Sequence, residues 1–455
     1  LPQKNLLNQT FEFKKYISNG WYFLLVPSVT GEFASMVYNE NQNTNLAFKA
    51  DLNFESRTAQ LYDLGYKSWN SGVLNYSDKK SIESLDSKVS LADEYRFIRK
   101  YYKPFWRYYI LIIRVLGLHN PIKECTSFYK SRNMKFQGNF KHVEISEDYL
   151  QYNSKLITNK PKITVIIPTL NRYKYLKDAI EDLEKQSIAI HELIIIDQSD
   201  KVEEDFYKQF QISIKLIVQK ERGQWLARNE AIRQSTGDWL LFFDDDSRVE
   251  KNWVEEHLKA VDYFKADISA GVSISKIGEK IPENYSFFRW ADQFDSGNAL
   301  VHKRVFEKIG LFDRQYDKMR MGDGEFGLRA YLNGFKSISH PLAKRLHLKV
   351  SEGGLRQVGS WDAFRTKKLL APMPIPSVSY YYLTYFNKKA LNRLFFQSIL
   401  TSAIPYKYKG KKLFMPIFLF MSIIKLPISL YQFSLSKAKA EKMLEEGPIL
   451  ERLKK

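Results

Sequence analysis

Residues 235–250 read STGDWLLFFDDDSRVE. Thr236 and Gly237 make a turn, Trp239 to Phe243 form an unbroken apolar run, and Asp244, Asp245 and Asp246 follow. A short apolar run bounded by turn residues predicts a strand buried on both faces, the kind found in parallel sheets. Acids at the C-terminal end of such a strand stand where open α/β sheets place their ligands. Three adjacent carboxylates repel one another, and a divalent cation that prefers oxygen ligands, Mn²⁺ or Mg²⁺, offsets that repulsion. This stretch alone leaves a second use open, a solvated acidic turn ahead of a helix.

The flanking chain alternates strand and helix. ITVIIPT (163–169), ELIIIDQSD (192–200) and ISIKLIVQ (212–219) read as strands, and RYKYLKDAIEDLEKQ (172–186) and GQWLARNEAIRQS (223–235) as helices. That alternation predicts a mostly parallel sheet covered by helices. Polar residues cluster just after the strands: Pro168, Thr169, Asn171 and Arg172, then Asp197 and Ser199, then Gly223, Arg228 and Asn229, then the three aspartates. They define one expected crevice.

Four motifs in order, I-I-P-T-x-N-R, I-I-I-D-x-S, R-G-x-x-x-A-R-N and G-D-W-x-x-F-x-D-D-D, resemble the family 2 glycosyltransferases. The resemblance runs over about residues 161–350 and implies a GT-A fold, a Rossmann-like α/β domain that transfers sugar from a nucleotide diphosphate donor with inversion. Carried over by position, it implies that Asp197 meets the base and that Pro168, Thr169 and Gly223 line the nucleoside pocket. Asn171, Arg172 and Arg228 join the donor site. Asp244 and Asp246 match the outer acids of the Asp-x-Asp motif, near ribose and metal, with Asp245 between them on the donor side. Mn²⁺ or Mg²⁺ is the implied cofactor.

DSGNALVHKRVFEKIGLFD (295–313) resembles the acceptor-side strand of the family, with Ser296, Gly297 and Asn298 facing the reacting sugar. RMGDGEFGLRAYLNGF (320–335) resembles the family's acidic helix motif: Asp323 falls at the catalytic acid and Glu325 at its acceptor-side companion. Gly322 stands where that motif usually has Glu. Inversion needs a base opposite the leaving group, and a carboxylate raised in pKa by burial and a neighbouring acid suits that task. Asp323 also fits a first-turn helix acid, and Glu325 a helix-end charge. His347 matches a late histidine that serves as metal ligand or phosphate contact, or is structural. Lys344, Arg345 and Arg356 fit phosphate contacts or solvated positions, and Gly353–Gly354 suggests a loop that closes over the donor.

The rest of the chain bounds this reading. One cysteine, Cys125, excludes an intrachain disulfide framework and cysteine-based zinc sites and fits a reducing compartment. The chain opens at Leu1 without a signal-peptide pattern, so its true N-terminus is an open matter. Residues 1–100 carry short apolar runs at 20–29, 34–39, 45–54 and 57–66, expected as strands of a β-sandwich-like module. Residues 101–160 are expected as a helical connector and linker, 161–355 as the catalytic domain and 356–455 as a basic, aromatic helical tail. The tail holds 18 Lys and Arg against 5 Asp and Glu, and its longest apolar run, Leu413 to Ile424, is too short to span a bilayer. A peripheral position on an anionic membrane surface, at the cytoplasmic face, follows as the expectation, with a glycan or lipid-linked acceptor.

Three other functions compete. A sugar nucleotidyltransferase needs a Gly-rich loop after the first strand, where this chain has PTLNRYKY. Nucleic-acid binding has only the +19 net charge in its favour. A non-catalytic, membrane-docked carbohydrate-binding scaffold with a degenerate transferase domain rests on Gly322.

Overall fold

The computed structural model describes residues 11–17, 33–34, 48–74, 76–77, 89–275, 281, 283–290, 294–350, 353–354, 368–402 and 415–453. The chain divides into two compact units, Leu1–Val143 with Phe364–Glu441, and Glu144–Ala363 with Lys442–Lys455.

The described residues of the first unit are mainly helical: α1 (Arg57–Asn70), α2 (Leu91–Tyr101), α3 (Pro104–Leu116) and α4 (Pro121–Lys130), then the tail helices Pro376–Tyr385, Lys388–Ser402, Met415–Ile424 and Leu426–Glu446. The strand expected at 57–66 is a helix. Ser56 caps it, its hydroxyl accepting from Ala59 N–H at 3.1 Å. Ala59, Tyr62, Tyr66 and Trp69 recur at three- and four-residue spacing, and this period outweighs the short apolar run on which the strand expectation rests. Residues 48–56 carry turns and no strand, so the expectation for 45–54 also fails where it is described. Among the described residues the only strands of this unit are the pair Phe33–Ala34 and Tyr76–Ser77, and the segment 20–29 lies outside the described residues. Among the described residues the core of this unit is aromatic and largely helical: Phe11 stacks on Phe97 at 4.0 Å between centroids, amid Phe13, Phe54, Tyr62 and Tyr95.

The second unit is built on a nine-stranded sheet: β1 (Ile163–Thr169), β2 (Glu192–Asp197), β3 (Ile214–Val218), β4 (Trp239–Phe243), β5 (Ser247–Val249), β6 (Ile268–Ile274), β7 (Arg289–Trp290), β8 (Asn298–His302) and β9 (Ser337–His347). The strand order is β3-β2-β1-β4-β8-β6-β9-β5, with β7 paired to β9. β1 to β4 are mutually parallel wherever they pair, β6 and β9 are parallel, and β8 is inserted antiparallel between β4 and β6. This is the mostly parallel α/β sheet that the strand–helix alternation predicts. Every residue of β1 and β4 is buried, Thr164 and Thr169 of β1 included. Helix α5 (Tyr173–Glu184) follows β1, and α6 (Gln224–Gln234) packs on β1 and β2. Helix α7 (Trp253–Phe264) covers β9, and α8 (Arg304–Ile309) and α9 (Gly322–Leu332) complete the set used below.

Residues 144–160 belong to this unit. Tyr149 is buried, and its hydroxyl shares a 2.8 Å hydrogen bond with His340. Ser154 donates to Asp262 at 2.8 Å. Near the other end, Leu311 N–H donates to Glu451 carbonyl at 2.8 Å and Ile449 N–H to Asp313 at 3.0 Å.

Candidate active site

The ends of β1 and β4 open into a cavity of about 420 Å³, walled by Thr169, Arg172, Arg228, Asp244, Asp245, Asp246, Asp295, Ser296, Asp323, Arg345 and His347 among others. Register explains the convergence. β1 and β4 run parallel side by side, so Thr169 and the aspartates leave the sheet together, and the Thr169 hydroxyl donates to Asp245 at 2.9 Å. β5 doubles back against β9 and pairs Ser247 with His347, which carries the imidazole to Asp246.

Each aspartate meets its own set of basic side chains. Asp244 bridges Arg228 at 2.8 Å and Arg345 at 2.6 Å. Burial opposes its ionisation, but Arg345 and then Arg228 hold its carboxyl well below the ordinary carboxylate range. Asp245 accepts from Arg172 at 2.9 Å, yet burial outweighs that guanidinium and the nearby Asp246 adds to it, so the carboxyl is pushed up to about 6. Asp246 lies 3.2 Å from His347 Nε2. Burial works to raise it, and the His347 hydrogen bond with the attraction of Arg172 leaves it lowered.

Asp323 stands in the first turn of α9, but its carboxylate does not cap that helix. It accepts from the Ser296 backbone N–H at 2.9 Å, which turns it toward the cavity. Burial, then the charge of Asp295, pushes its pKa up to about 6. Asp295 is held in turn by Ser273 at 2.5 Å and Arg345 at 3.2 Å.

The glycines here are steric. A side chain at Gly297 would strike the Arg345 guanidinium and Asp244. Gly322 lies under the indole of Trp225, where a larger residue would overlap the ring. The position where the motif usually has Glu is therefore packed against Trp225 in this chain.

Several expected residues lie away from the cavity. Asp197 ends β2 beside Thr169, but its Oδ2 accepts the hydroxyls of Tyr173 at 2.6 Å and Tyr207 at 2.8 Å, and its Oδ1 accepts Ser199 N–H at 2.8 Å. The carboxylate is fully buried. Asn171 is a turn residue with φ 55°, tied to Ser199 and Asp200. Gly223 precedes α6, whose first turn is already met by a carboxylate: Asp317 accepts Trp225 N–H at 2.8 Å. Asn298 is buried and structural, accepting from Trp253 at 2.8 Å and donating to the Val272 and Ala343 carbonyls at 3.0 and 3.1 Å. Glu325 pairs with Arg329 at 2.7 Å, one turn along α9, and is buried there. Asn298 and Glu325 are thus engaged within the frame, and neither is among the residues that line the cavity. Pro168, Thr169, Arg172, Arg228, Ser296, Asp323, His347 and the three aspartates all line the cavity. Gly354 does too, its N–H donating to Leu170 carbonyl at 2.7 Å; Arg356 lies outside the described residues.

Sequence reasoning passed over Asp295 and left Arg345 as solvated or phosphate-facing. Arg345 is 3% exposed and clamps Asp244 and Asp295 together. Only its position on β9, 101 residues from Asp244, reveals this.

The residues fit a divalent cation. Asp244, Asp246 and His347 present ligand atoms within 4.8 Å of one another. Asp246 Oδ2 is buried and accepts no hydrogen bond, although Arg172 Nη1 lies 3.3 Å away. Arg228 Nη1 is likewise buried without a hydrogen-bond partner. An orphaned carboxylate oxygen and an orphaned guanidinium N–H beside one cavity suit a cation and an anion together.

Residues 164–324 match the family model described as Glycosyl transferase family 2. This domain belongs to the family 2 glycosyltransferases. Glycosyltransferase GlyA of Streptococcus pneumoniae is 26% identical over 164 residues, 35% of this chain and 22% of that protein. A dolichyl N-acetyl-α-D-glucosaminyl phosphate 3-β-D-2,3-diacetamido-2,3-dideoxy-β-D-glucuronosyltransferase of Methanococcus voltae is 26% identical over 209 residues, 39% of this chain and 64% of that protein. Among solved structures, residues 1–349 of S. aureus TarS in complex with UDP-GlcNAc superpose with a TM-score of 0.41 at 16% identity, covering 63% of this chain and 92% of that one. The family 2 match spans β1 to the start of α9 and so includes the three aspartates and Asp323.

Proposed function

We propose that the chain is an inverting, metal-dependent glycosyltransferase that moves a sugar from a nucleotide diphosphate donor to an acceptor hydroxyl. The observation that carries this is the meeting of Asp323 with Asp244, Asp246 and His347 on one cavity, from elements far apart in the chain. Arg228 offers an unpaired N–H to the donor's diphosphate, and Arg172 and Arg345 add positive charge beside it. Mn²⁺ or Mg²⁺ held by Asp246, His347 and Asp244 supplies Lewis-acid stabilisation of the leaving diphosphate. At neutral pH the Asp323 carboxylate, with a pKa near 6, is mostly ionised and still basic enough to accept a proton. It takes the acceptor hydroxyl's proton as that oxygen bonds to the anomeric carbon, and the bond from that carbon to the diphosphate oxygen breaks with its electron pair. Ser296 N–H, bonded to Asp323, fixes the angle of the base.

The acceptor we propose is a glycan or lipid-linked sugar in cell-surface polysaccharide or glycolipid assembly. The enzyme works at the cytoplasmic face of the membrane, with the basic tail as one contact. Support comes from Phe420, Ile423 and Ile424, which are 58 to 63% exposed beside Lys425. Among the described residues no helix is long and apolar enough to cross a membrane.

A panel of nucleotide sugars, assayed with Mn²⁺ for nucleoside diphosphate release and for the anomeric configuration of the product, tests the reading. Inverted product that disappears in Asp323→Asn is expected. Retained configuration, or full turnover in that variant, would overturn it.

A further inference from the structure

Helix α3 inverts the usual rule for an amphipathic helix. Its only buried residue is Ile110. Phe105, Tyr108, Ile112 and Leu116 recur along one face and are 61, 50, 57 and 73% exposed. The stripe continues over the turn into α4, where Leu118 is 96% and Ile122 73% exposed. A contiguous apolar surface of this kind on a folded protein marks a place where something docks.

The charge around the stripe selects the partner. Residues 103–132 contain Lys103, Arg107, Arg114, Lys123, Lys130 and Arg132 and a single acid, Glu124. Glu124 is buried and consumed internally: it pairs with Arg114 at 2.7 Å and accepts the Tyr95 hydroxyl at 2.7 Å. The exposed face of the hairpin is therefore apolar and cationic, with no exposed acid. A second copy of this chain fits poorly, because a two-fold contact would set these cations against their own kind. Nucleic acid would satisfy the cations but leave the leucines and isoleucines in water. An anionic lipid surface satisfies both, with apolar side chains below the headgroups and lysines and arginines among them.

We infer that the α3–α4 hairpin is an interfacial membrane anchor for anionic phospholipid, with Leu116, Leu118 and Ile122 at its inserting tip. The Glu124–Arg114 pair joins the two helices and keeps the tip in one shape. This surface shares no residue with the cavity and does not depend on sugar transfer. It adds to the contact proposed for the tail.

Flotation of the full chain with vesicles tests it, comparing vesicles of phosphatidylcholine alone with vesicles containing about a third phosphatidylglycerol. Wild type is expected to float with the anionic vesicles and to be released as salt rises, since surface attraction fades within a Debye length. Leu116→Ser with Leu118→Ser and Ile122→Ser is expected to lower the partition coefficient about tenfold or more. Lys123→Glu with Lys130→Glu is expected to lower it by about the same factor at low salt only. Circular dichroism and donor turnover in detergent-free buffer should match wild type in both variants, which separates this result from failure of the transferase reading. Equal flotation of wild type and both variants, binding to neutral vesicles alone, or loss of the exposed stripe into a stable dimer would each overturn the inference.

Discussion

Two carboxylate sites end neighbouring regions of the same sheet, and they are built in opposite ways. Asp197, at the end of β2, is closed: two phenol hydroxyls and a backbone N–H satisfy it inside the protein. Asp244 to Asp246, after β4, are crowded by Arg172, Arg228, Arg345 and His347, yet an oxygen of Asp246 and an N–H of Arg228 stay unmatched. Neutral donors can finish a hydrogen-bond shell around one carboxylate. Three carboxylates need cations, and guanidiniums anchored on a strand, a helix and a helix cap leave an oxygen unmatched. The leftover valence at the second site suits a bound ligand, and the completed shell at the first suits a place in the scaffold.

The sharpest break of this contrast is Asp246→Asn against Tyr207→Phe. Removing the acid with the free oxygen should lower metal-dependent turnover by about a hundredfold or more, by loss of charge stabilisation at the leaving group. Removing a phenol hydroxyl should leave turnover within about twofold and cost about 1 to 2 kcal/mol of stability in denaturant titration, from a buried carboxylate deprived of one donor. A large rise in donor KM in Tyr207→Phe would instead make Asp197 a base contact.

Arg345→Ala probes what holds the open site together. Asp244 and Asp295 would lose a shared buried partner, and breaking such pairs costs about 3 to 5 kcal/mol. A clear fall in melting temperature is expected, and an unchanged one would show that solvent reaches these acids.

The pH dependence separates Asp323 from its neighbours. Its carboxyl is raised from 3.8 to about 6, so kcat/KM should rise with pH through about 6 as the base ionises in the free enzyme. The stability effect has the opposite sign. A raised carboxyl contributes stability below its ordinary pKa and loses it as pH rises through the folded value. Asp323→Asn should therefore be at least as stable as wild type at pH 7 by thermal unfolding while inactive. A destabilised variant would make Asp323 a structural acid.

The sheet and the acid cluster were legible because their signals are local: an apolar run, a turn and three carboxylates lie within 16 residues. The same holds for Thr169, Arg172 and Arg228, each a few residues beyond a strand or at a helix start. Partners brought from afar were not legible. Nothing near Asp197 in sequence shows that Tyr173 and Tyr207 close over it, and nothing near Asn298 shows that Trp253 and the Ala343 carbonyl use up its amide. Glu325 is a different case: its partner Arg329 sits one helical turn away, so this pairing is readable from the spacing alone. In the first unit, α1 differs from the expected strand because a short apolar run between turn residues is read at too small a scale to show the helical period.

The most direct test is Mn²⁺ binding measured by loss of the free-ion electron paramagnetic resonance signal, in the presence of a nucleoside diphosphate. The account predicts one ion per chain, retained in Asp323→Asn and Tyr207→Phe and lost in Asp246→Asn. Binding that survives unchanged in Asp246→Asn would contradict it.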